Sequence, residues 1–270
     1  MAADLAPVLY VGQPMDAVSL HPIARGEAAA FSSGCPGRPR NEDAAALIPV
    51  DEGSAVLAVA DGLGGTPQGD HAASLAVRAL VNALEPAQRE RSRLRNAILD
   101  AIERASQAVA QLGTGAGTTL AVAEIQEDVV RSYHVGDSML LVVGQRGRIK
   151  FQSVAHSPVG FAVEAGLLGE REALHHEDRH LVSNVLGARD MRIEIGPTLH
   201  LAARDTLLLA SDGLSDNLGR REIADRIRRG PLAECASRLA SDARRRMSSP
   251  APGDPSKPDD LTLVLFRLRA

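Results

Sequence analysis

The chain has few cysteines, few aromatic residues and no long apolar run. Only Cys35 and Cys235 occur, and two cysteines at this spacing make neither a disulfide framework nor a metal motif. We therefore expect free thiols in a reducing cytoplasm. No segment approaches the roughly 18 apolar residues of a membrane helix, and the N-terminus lacks the pattern of a secretion signal. These absences favour a cytoplasmic protein that does not enter a membrane.

Charge and aromatic content argue against a nucleic-acid-binding protein. The formal net charge is −4, and aromatic residues make up 2% of the chain, with no tryptophan. A general nucleic-acid binder needs a basic surface, and a single-strand binder needs aromatic side chains for stacking. The arginine clusters at 226–229 and 244–246 are predicted to be solvated helix faces. We expect no nucleic-acid partner.

The apolar pattern predicts one large α+β domain. With 270 residues, 44% of them hydrophobic, the chain can bury a sizeable core. Residues 1–25 are weakly patterned and are predicted to be a short N-terminal extension of a domain at 26–270. Strands come in runs and helices in pairs, which favours an α+β sandwich over alternating βαβ units.

The predicted elements follow from apolar periodicity and turn residues. Strands are predicted at 27–33, 44–50, 54–60, 118–125, 129–135, 139–143, 148–152, 206–210 and 261–268. Helices are predicted after the N-cap Asp70 and at 92–112, 221–229 and 231–246. Residues 158–190 are polar and are predicted to be a surface excursion with a little helix.

Carboxylates stand at the ends of several predicted strands. They are Asp43, Asp61, Asp212, the pair Asp259-Asp260, and Asp137 in a hairpin. Such carboxylates can converge at one edge of stacked sheets, where they would repel one another without a cation. An all-oxygen ligand set suits Mg²⁺ or Mn²⁺ better than Zn²⁺. Two such ions about 4 Å apart would activate a bridging water.

Each acidic position also has a simpler interpretation. Asp61-Gly62 or Asp212-Gly213 alone would indicate only a turn, and the other aspartates could be solvated. The hypothesis of a site depends on their co-occurrence. At Gly62 the absence of a side chain would let a backbone carbonyl approach a metal. The histidine-rich stretch 175–180 is predicted to be solvated surface rather than a metal site, and the glycines at 113–117 lack the Lys-Ser/Thr of a phosphate loop.

The order of these motifs resembles the type 2C family of metal-dependent protein serine/threonine phosphatases, especially its compact bacterial members. The resemblance runs from about Gly26 to Arg269. Each motif is weak alone, but the order and spacing together are specific. The motifs are Arg38-x-x-Asn41-Glu42-Asp43, Val59-Ala60-Asp61-Gly62-Leu63-Gly64-Gly65, Gly117-Thr118-Thr119-Leu120, His134-Val135-Gly136-Asp137-Ser138, His156-Ser157, Asn184-Val185-Leu186-Gly187, Ser211-Asp212-Gly213-Leu214-Ser215-Asp216 and Asp259-Asp260-Leu261-Thr262.

The resemblance implies a site for two core Mn²⁺ or Mg²⁺ ions. By matching position, Asp61 would bridge both ions and the Gly62 carbonyl would bind one of them. Asp212 and Asp259 would hold the other ion. Asp43 would bind directly or through water.

The resemblance also implies roles around this core. Glu42, like Asp43, would bind a metal directly or through water, and Arg38 would hold the substrate phosphate by bidentate hydrogen bonds. Asp137, with Asp216, would contribute to a weaker third metal site. The implied fold is two packed antiparallel β-sheets flanked by helices, an α-β-β-α sandwich with the metals at one end. Residues 158–190 would form a flap that helps choose substrates.

The implied activity is hydrolysis of phosphoserine and phosphothreonine in proteins by a metal-activated water. The substrate would be a phosphoprotein that is a target of a serine/threonine kinase or the kinase itself, and the phosphatase would be a monomer. Three positions depart from the family pattern: Leu63, Ala155 and Met139. None removes a core ligand, so activity is expected, and a reduced rate is a hypothesis that normal turnover would refute.

Two other functions fit the same acidic residues less well. A regulatory binding module of the same fold would be expected to lose metal ligands, whereas Asp43, Asp61, Asp212 and Asp259 are all present. A structural calcium domain would cluster its ligands in one short loop. Here the ligands are spread over more than 200 residues, from Asp43 to Asp259, which favours a catalytic cleft.

Overall fold

The structure is a computed structural model that describes residues 6–38, 40–64, 68–87, 94–113 and 115–269. Its strands form two antiparallel sheets, as predicted. The first sheet has the order β1-β4-β5-β6-β7-β10, with β11 also paired to β7, and the second has the order β2-β3-β13-β12-β8-β9. The strands are β1 Val8–Val11, β2 Ser19–Ile23, β3 Gly26–Ser33, β4 Asp43–Pro49, β5 Ser54–Asp61, β6 Leu120–Gln126, β7 Val129–Val135, β8 Met139–Val143, β9 Ile149–Gln152, β10 Glu194–Ile195, β11 Leu199–His200, β12 Thr206–Ala210 and β13 Leu261–Leu268.

The central strands are buried on both faces. Strands β4, β8 and β12 are buried along their whole length, and apart from Asp43 and Thr206 at their first positions they are apolar, which explains why they lack polar alternation. Alternate residues such as Leu57 and Leu209 face a core between the sheets, while Val56 and Leu208 face the helices. The chain is therefore the four-layer α-β-β-α sandwich that the sequence predicted.

Helices cover the outer face of each sheet. Helices α1 and α2 pack on the first sheet, and α5, α6 and α7 pack on the second. The helices are α1 Gly69–Ala87, α2 Leu94–Gln111, α3 Pro158–Glu164, α4 Glu170–Ala173, α5 Asp212–Ser215, α6 Arg220–Ile227 and α7 Leu232–Ser248. No helix among the described residues combines the length and the hydrophobicity that crossing a bilayer requires.

Two local predictions were wrong. Helix α1 begins at Gly69, and Ala72 N–H already donates to the Gln68 carbonyl at 3.0 Å, so Asp70 lies in the first turn rather than at the N-cap. Arg246 is not part of a solvated face. It is 9% exposed, donates to the Asn217 carbonyl at 2.9 Å, and makes two bonds to the Glu222 carboxylate at 3.1 and 3.2 Å.

The first 25 residues contain strands that the sequence analysis did not identify. β1 pairs with β4 at one edge of the first sheet, and β2 pairs with β3 at one edge of the second. Both strands are partly exposed, and β2 contains Pro22, so neither has a strong buried-strand pattern. The division into an extension at 1–25 and a domain at 26–270 stays a prediction.

Candidate active site

Asp43 and Asp61 meet because neighbouring antiparallel strands bring opposite ends together. Asp43 opens β4, Asp61 closes β5, and the register pairs them directly. Directly opposed like charges destabilise a sheet, so this placement requires compensation from elsewhere. It is the first sign that the strand ends serve a purpose other than stability.

The second sheet brings its own carboxylates to the same end. Asp212 starts α5 immediately after β12, and Asp259 lies just before β13. The Asp212 backbone N–H points to Asp61 Oδ2 at 3.4 Å. Ser211 Oγ donates to Asp43 Oδ2 at 2.7 Å. These contacts across the sandwich join three of the predicted ligands, Asp43, Asp61 and Asp212, into one cluster, and Asp259 lies at the same end of the sandwich.

Asp137 and Asp216 lie beside this cluster. Asp137 sits in the turn between β7 of the first sheet and β8 of the second, so the chain crosses between the sheets at this point. The prediction of a hairpin here was wrong, because these two strands do not pair with each other. Gly136 allows the crossing. Its φ is +103°, and a Cβ there would lie 2.6 Å from the Thr119 side chain.

Burial and mutual repulsion raise the pKa values of these carboxyls. Burial first, and then neighbouring aspartates, raise the pKa of both Asp43 and Asp61 well above the ordinary value. Burial and the charges of Asp212 and Asp216 raise the pKa of Asp137 to about 8. Burial and the charge of Asp212 raise the pKa of Asp216 to about 7. Without a bound cation, the carboxylates at this end of the sandwich therefore repel one another and are costly to ionise.

Lys257 supplies the one ammonium group that touches the cluster within the described residues. Its Nζ lies 2.6 Å from Asp212 Oδ2, 2.7 Å from Asp216 Oδ2 and 3.1 Å from Asp259 Oδ2. The sequence analysis missed this residue because a lysine in a proline-rich loop has no pattern that indicates a contact. Together the three distances show that the ammonium is bound, not solvated.

Hydroxyl groups hold Asp61 in place. Thr118 Oγ1 and Thr119 N–H both donate to the Asp61 carbonyl at 2.8 Å. The Asp61 N–H in turn donates to Thr119 Oγ1 at 3.2 Å, and that oxygen lies 2.7 Å from Ser138 Oγ. The motifs at 117–120 and 134–138 thus position the backbone beside the acidic cluster.

Close backbone packing explains the glycines that follow two of the aspartates. A Cβ on Gly62 would lie 2.3 Å from the Gly69 carbonyl oxygen and 2.9 Å from that of Glu42. A Cβ on Gly213 would lie 1.9 Å from the Asp260 carbonyl oxygen. Both glycines are therefore required by the fold, independently of the predicted metal contact of the Gly62 carbonyl.

Arg38 and Glu42 stand at the mouth of the site. Arg38 is exposed and Glu42 is half-buried. Both side chains reach towards Gly64, where a Cβ would lie 4.0 Å from Arg38 Nη1 and 3.8 Å from Glu42 Oε2. Burial, followed by the charge of Asp260, raises the pKa of Glu42.

Asp260 is a further residue whose role the sequence analysis did not identify. It is buried, and its two carboxylate oxygens each accept a backbone N–H at 2.6 Å, one from Cys35 and one from Glu42. It therefore fixes the loop that presents Arg38. Its position next to Asp259 was the available signal.

A second histidine and carboxylate group lies away from the aspartates. His134, His156 and Glu194 place potential ligand atoms within 4.8 Å of one another. The His156 ring is already used on both sides, because Nδ1 accepts Gly136 N–H at 3.1 Å and Nε2 lies 3.1 Å from Glu194 Oε2. The ring thus connects the turn that carries Asp137 to Glu194 of β10, rather than leaving a nitrogen for a metal.

Residues 158–190, the segment predicted to be a flap, border a groove beside the aspartates. This segment contains α3, α4 and a 3₁₀ turn at Glu177–His180, in agreement with the small amount of helix that was predicted for it. Between the flap and α5–α6 is a cavity of about 490 Å³. Asp137, Asp212 and Asp216 line it together with apolar side chains, among them Met139 and Leu174.

Taken together, the structure is an α-β-β-α sandwich with converging aspartates at one end and a groove beside them. Residues 37–247 match the protein phosphatase 2C family. The chain therefore belongs to the protein phosphatase 2C family, and it is a protein serine/threonine phosphatase.

Relatives agree in sequence and in structure. The protein phosphatase PhpP of Streptococcus pneumoniae is 33% identical over 183 residues, which cover 64% of this chain and 72% of PhpP. The serine/threonine phosphatase of S. agalactiae superposes with a TM-score of 0.78 at 26% identity, over 90% of this chain and 100% of the other. The catalytic domain of the phosphatase PstP, solved with two manganese ions, shares the fold with a TM-score of 0.67 at 24% identity, over 97% of this chain and 99% of the other.

Proposed function

We propose that this phosphatase is metal-dependent, with Mn²⁺ or Mg²⁺ as the cation. Two core ions would be held by Asp43, Asp61, Asp212, Asp259 and the Gly62 carbonyl. A third, weaker site would use Asp137 and Asp216. The two manganese ions of the PstP catalytic domain support this assignment, since that domain shares the fold.

The residues present fit such ions. Six aspartates converge, and Lys257 offsets only one of their charges. Asp43 Oδ1 is buried and accepts no hydrogen bond from the described residues, which is the state expected of an oxygen whose partner is a cation. An all-oxygen set matches the preference of Mg²⁺ and Mn²⁺. This convergence of buried carboxylates is the observation that carries the proposal.

The bound ions would neutralise the aspartates and make a water nucleophilic at neutral pH. The chain itself does the rest. Arg38, exposed at the mouth, binds the phosphate by two parallel N–H bonds, and Glu42 beside it orients water. Ser211 holds the Asp43 carboxylate, and Thr118 and Thr119 hold the backbone of Asp61, so that little reorganisation is needed in the transition state.

The groove under the flap would receive the protein part of the substrate. It opens beside Asp137, Asp212 and Asp216, so a phosphoserine or phosphothreonine bound at the aspartates places neighbouring residues against the flap. We propose a cytoplasmic monomer whose substrate is the target of a serine/threonine kinase, or that kinase itself.

The test is hydrolysis of a phosphothreonine peptide with Mn²⁺, with EDTA and in the variant Asp212→Asn. We expect activity that requires the metal and falls at least about 100-fold in the variant, because a metal contributes several kcal/mol to the transition state. Asp242→Asn is the matched control. Asp242 lies on α7 and pairs with Arg226 of α6 at 2.7 Å. It is not one of the proposed site residues, and replacing it should leave activity unchanged. Full activity in EDTA would contradict the proposal.

A further inference from the structure

Lys257 has a position that neither the activity nor the metal ligands explain. The chain contains only two lysines, Lys150 and Lys257, among its 30 basic residues. One of these two lies inside the group of carboxylates that the proposed function assigns to metal ions. An ammonium has three N–H donors, and here three carboxylates surround it at 2.6 to 3.1 Å.

The backbone around Lys257 is fixed. The side chain of Asn217, which is fully buried, accepts the Lys257 N–H at 3.0 Å and donates to the Lys257 carbonyl at 2.9 Å. Arg246 in turn donates to the Asn217 carbonyl at 2.9 Å. Pro258 follows directly and restricts the backbone further. The lysine is therefore directed at the aspartates by a buried network, not by chance contact on a loose loop.

The Lys257 side chain is also largely removed from solvent. It is 22% exposed, and its partners Asp212, Asp216 and Asp259 are 17%, 13% and 26% exposed. Ion pairs with such limited exposure are screened by water less than surface pairs are. A divalent cation that binds these oxygens must therefore compete with a well-placed positive charge.

We propose that Lys257 is a built-in counter-ion that competes with divalent cations for Asp212, Asp216 and Asp259. It keeps the acidic end of the sandwich folded when metal is scarce, and it weakens metal binding at these oxygens. The inference depends on the proposed function, because it takes these aspartates as metal ligands. It adds a residue that sets the metal concentration at which the enzyme is loaded.

The experiment measures Mn²⁺ binding by titration calorimetry, without substrate, for the full chain and for Lys257→Met. We expect the variant to bind Mn²⁺ at least about tenfold more tightly, because no ammonium has to be displaced. Lys257→Arg keeps the charge and should bind Mn²⁺ within a fewfold of the parent. Lys150→Met is the matched control. Lys150 pairs with the buried Asp205, which precedes β12, whereas α5 follows the other end of this strand. Replacing Lys150 should therefore leave Mn²⁺ affinity unchanged.

Thermal unfolding gives a second readout. In EDTA, Lys257→Met should have a lower melting temperature than the parent, and Mn²⁺ should restore it fully. Lys150→Met should also melt earlier, but Mn²⁺ should raise its melting temperature only by as much as it raises that of the parent. If Lys257→Met unfolds in EDTA, failure to refold on addition of Mn²⁺ would overturn the inference.

The outcomes separate this inference from the proposed function. Equal or weaker Mn²⁺ binding by Lys257→Met, beside a parent that binds Mn²⁺, would overturn the role of Lys257 and leave metal dependence intact. Absence of Mn²⁺ binding in every protein tested would overturn both.

Discussion

At the scale of single residues, the buried aspartates at one end of the sandwich lower the stability of the fold. Asp43 and Asp61 oppose each other directly across β4 and β5, and burial with neighbouring charge raises the pKa of both. A fold selected for stability alone would not place them there. Removing one carboxylate should therefore affect activity and stability in opposite directions.

Asp61→Asn should lower kcat/KM for a phosphothreonine peptide at least about 100-fold, because a proposed metal ligand is lost. In EDTA it should melt higher than the parent, by about 2–4 °C for each 1 kcal/mol of repulsion relieved. Peptide hydrolysis and calorimetry in EDTA would measure the two effects. Asp128→Asn, on the exposed pair with His200, is the control and should change neither. A lower melting temperature for Asp61→Asn would contradict the repulsion argument.

Ser211 is the residue that joins the carboxylates of one sheet to the backbone of the other. It donates to Asp43 Oδ2 at 2.7 Å and accepts the Thr262 N–H at 3.0 Å. Ser211→Ala should cost about 1–3 kcal/mol of unfolding free energy in urea, since two buried groups lose a partner. Ser248→Ala, on an exposed hydroxyl of α7, should cost almost nothing. Equal midpoints for the two variants would refute this role.

At the scale of elements, α5 is a single helical turn, Asp212–Ser215, whose packing leaves no room for a side chain. Alanine usually stabilises a helix relative to glycine by about 1 kcal/mol. Gly213→Ala should instead destabilise by about 2 kcal/mol or more, because its Cβ would lie 1.9 Å from the Asp260 carbonyl. The variant should also lose activity, because Asp212 and Asp259 flank this contact.

The measurement for Gly213→Ala is chemical unfolding together with peptide hydrolysis. Gly34→Ala is the control, since its Cβ would meet only ordinary contacts, the nearest at 3.5 Å. A Gly213→Ala variant as stable as the Gly34→Ala variant would contradict this prediction, because it would show that the backbone at Asp260 can move aside.

Helix α7 contains a buried charge that its sequence does not distinguish from the neighbouring arginines. Arg246→Ala should cost about 3–5 kcal/mol of unfolding free energy, because the partly buried Glu222 and the Asn217 carbonyl lose their donor. Arg244→Ala on the exposed face of the same helix should be close to neutral. Denaturant unfolding of both variants would test this, and similar midpoints would contradict it.

Elements with strong local patterns were predictable, and elements defined by partners were not. The runs at 129–135, 139–143, 206–210 and 261–268 coincide with strands because apolar residues and turn residues mark both ends. β10 and β11 have two residues each and exist through pairing with β7, so no periodicity could reveal them. Lys257, Asp260 and Arg246 escaped prediction for the same reason, since their roles depend on contacts distant in sequence.

At the scale of the whole molecule, metal binding should be linked to folding. Mn²⁺ at about 100 times its dissociation constant should stabilise the native state by about 2.7 kcal/mol per site. Melting temperature should therefore rise with Mn²⁺ in the parent and rise little in Asp212→Asn. Calorimetry over a Mn²⁺ series would measure this, with Asp242→Asn as the control that responds like the parent. An identical response in Asp212→Asn would argue against this aspartate as a ligand.

The two N-terminal strands have a consequence for how the protein behaves among other copies of itself. β1 pairs with β4 and β2 pairs with β3, so the N-terminal segment supplies the edge strand at one side of each sheet. Exposed edge strands pair readily with strands of other chains. A chain that lost its first 25 residues would keep every aspartate of the candidate active site, yet β4 and β3 would become exposed edge strands. Such a chain should self-associate through these edges, and aggregation would limit its activity.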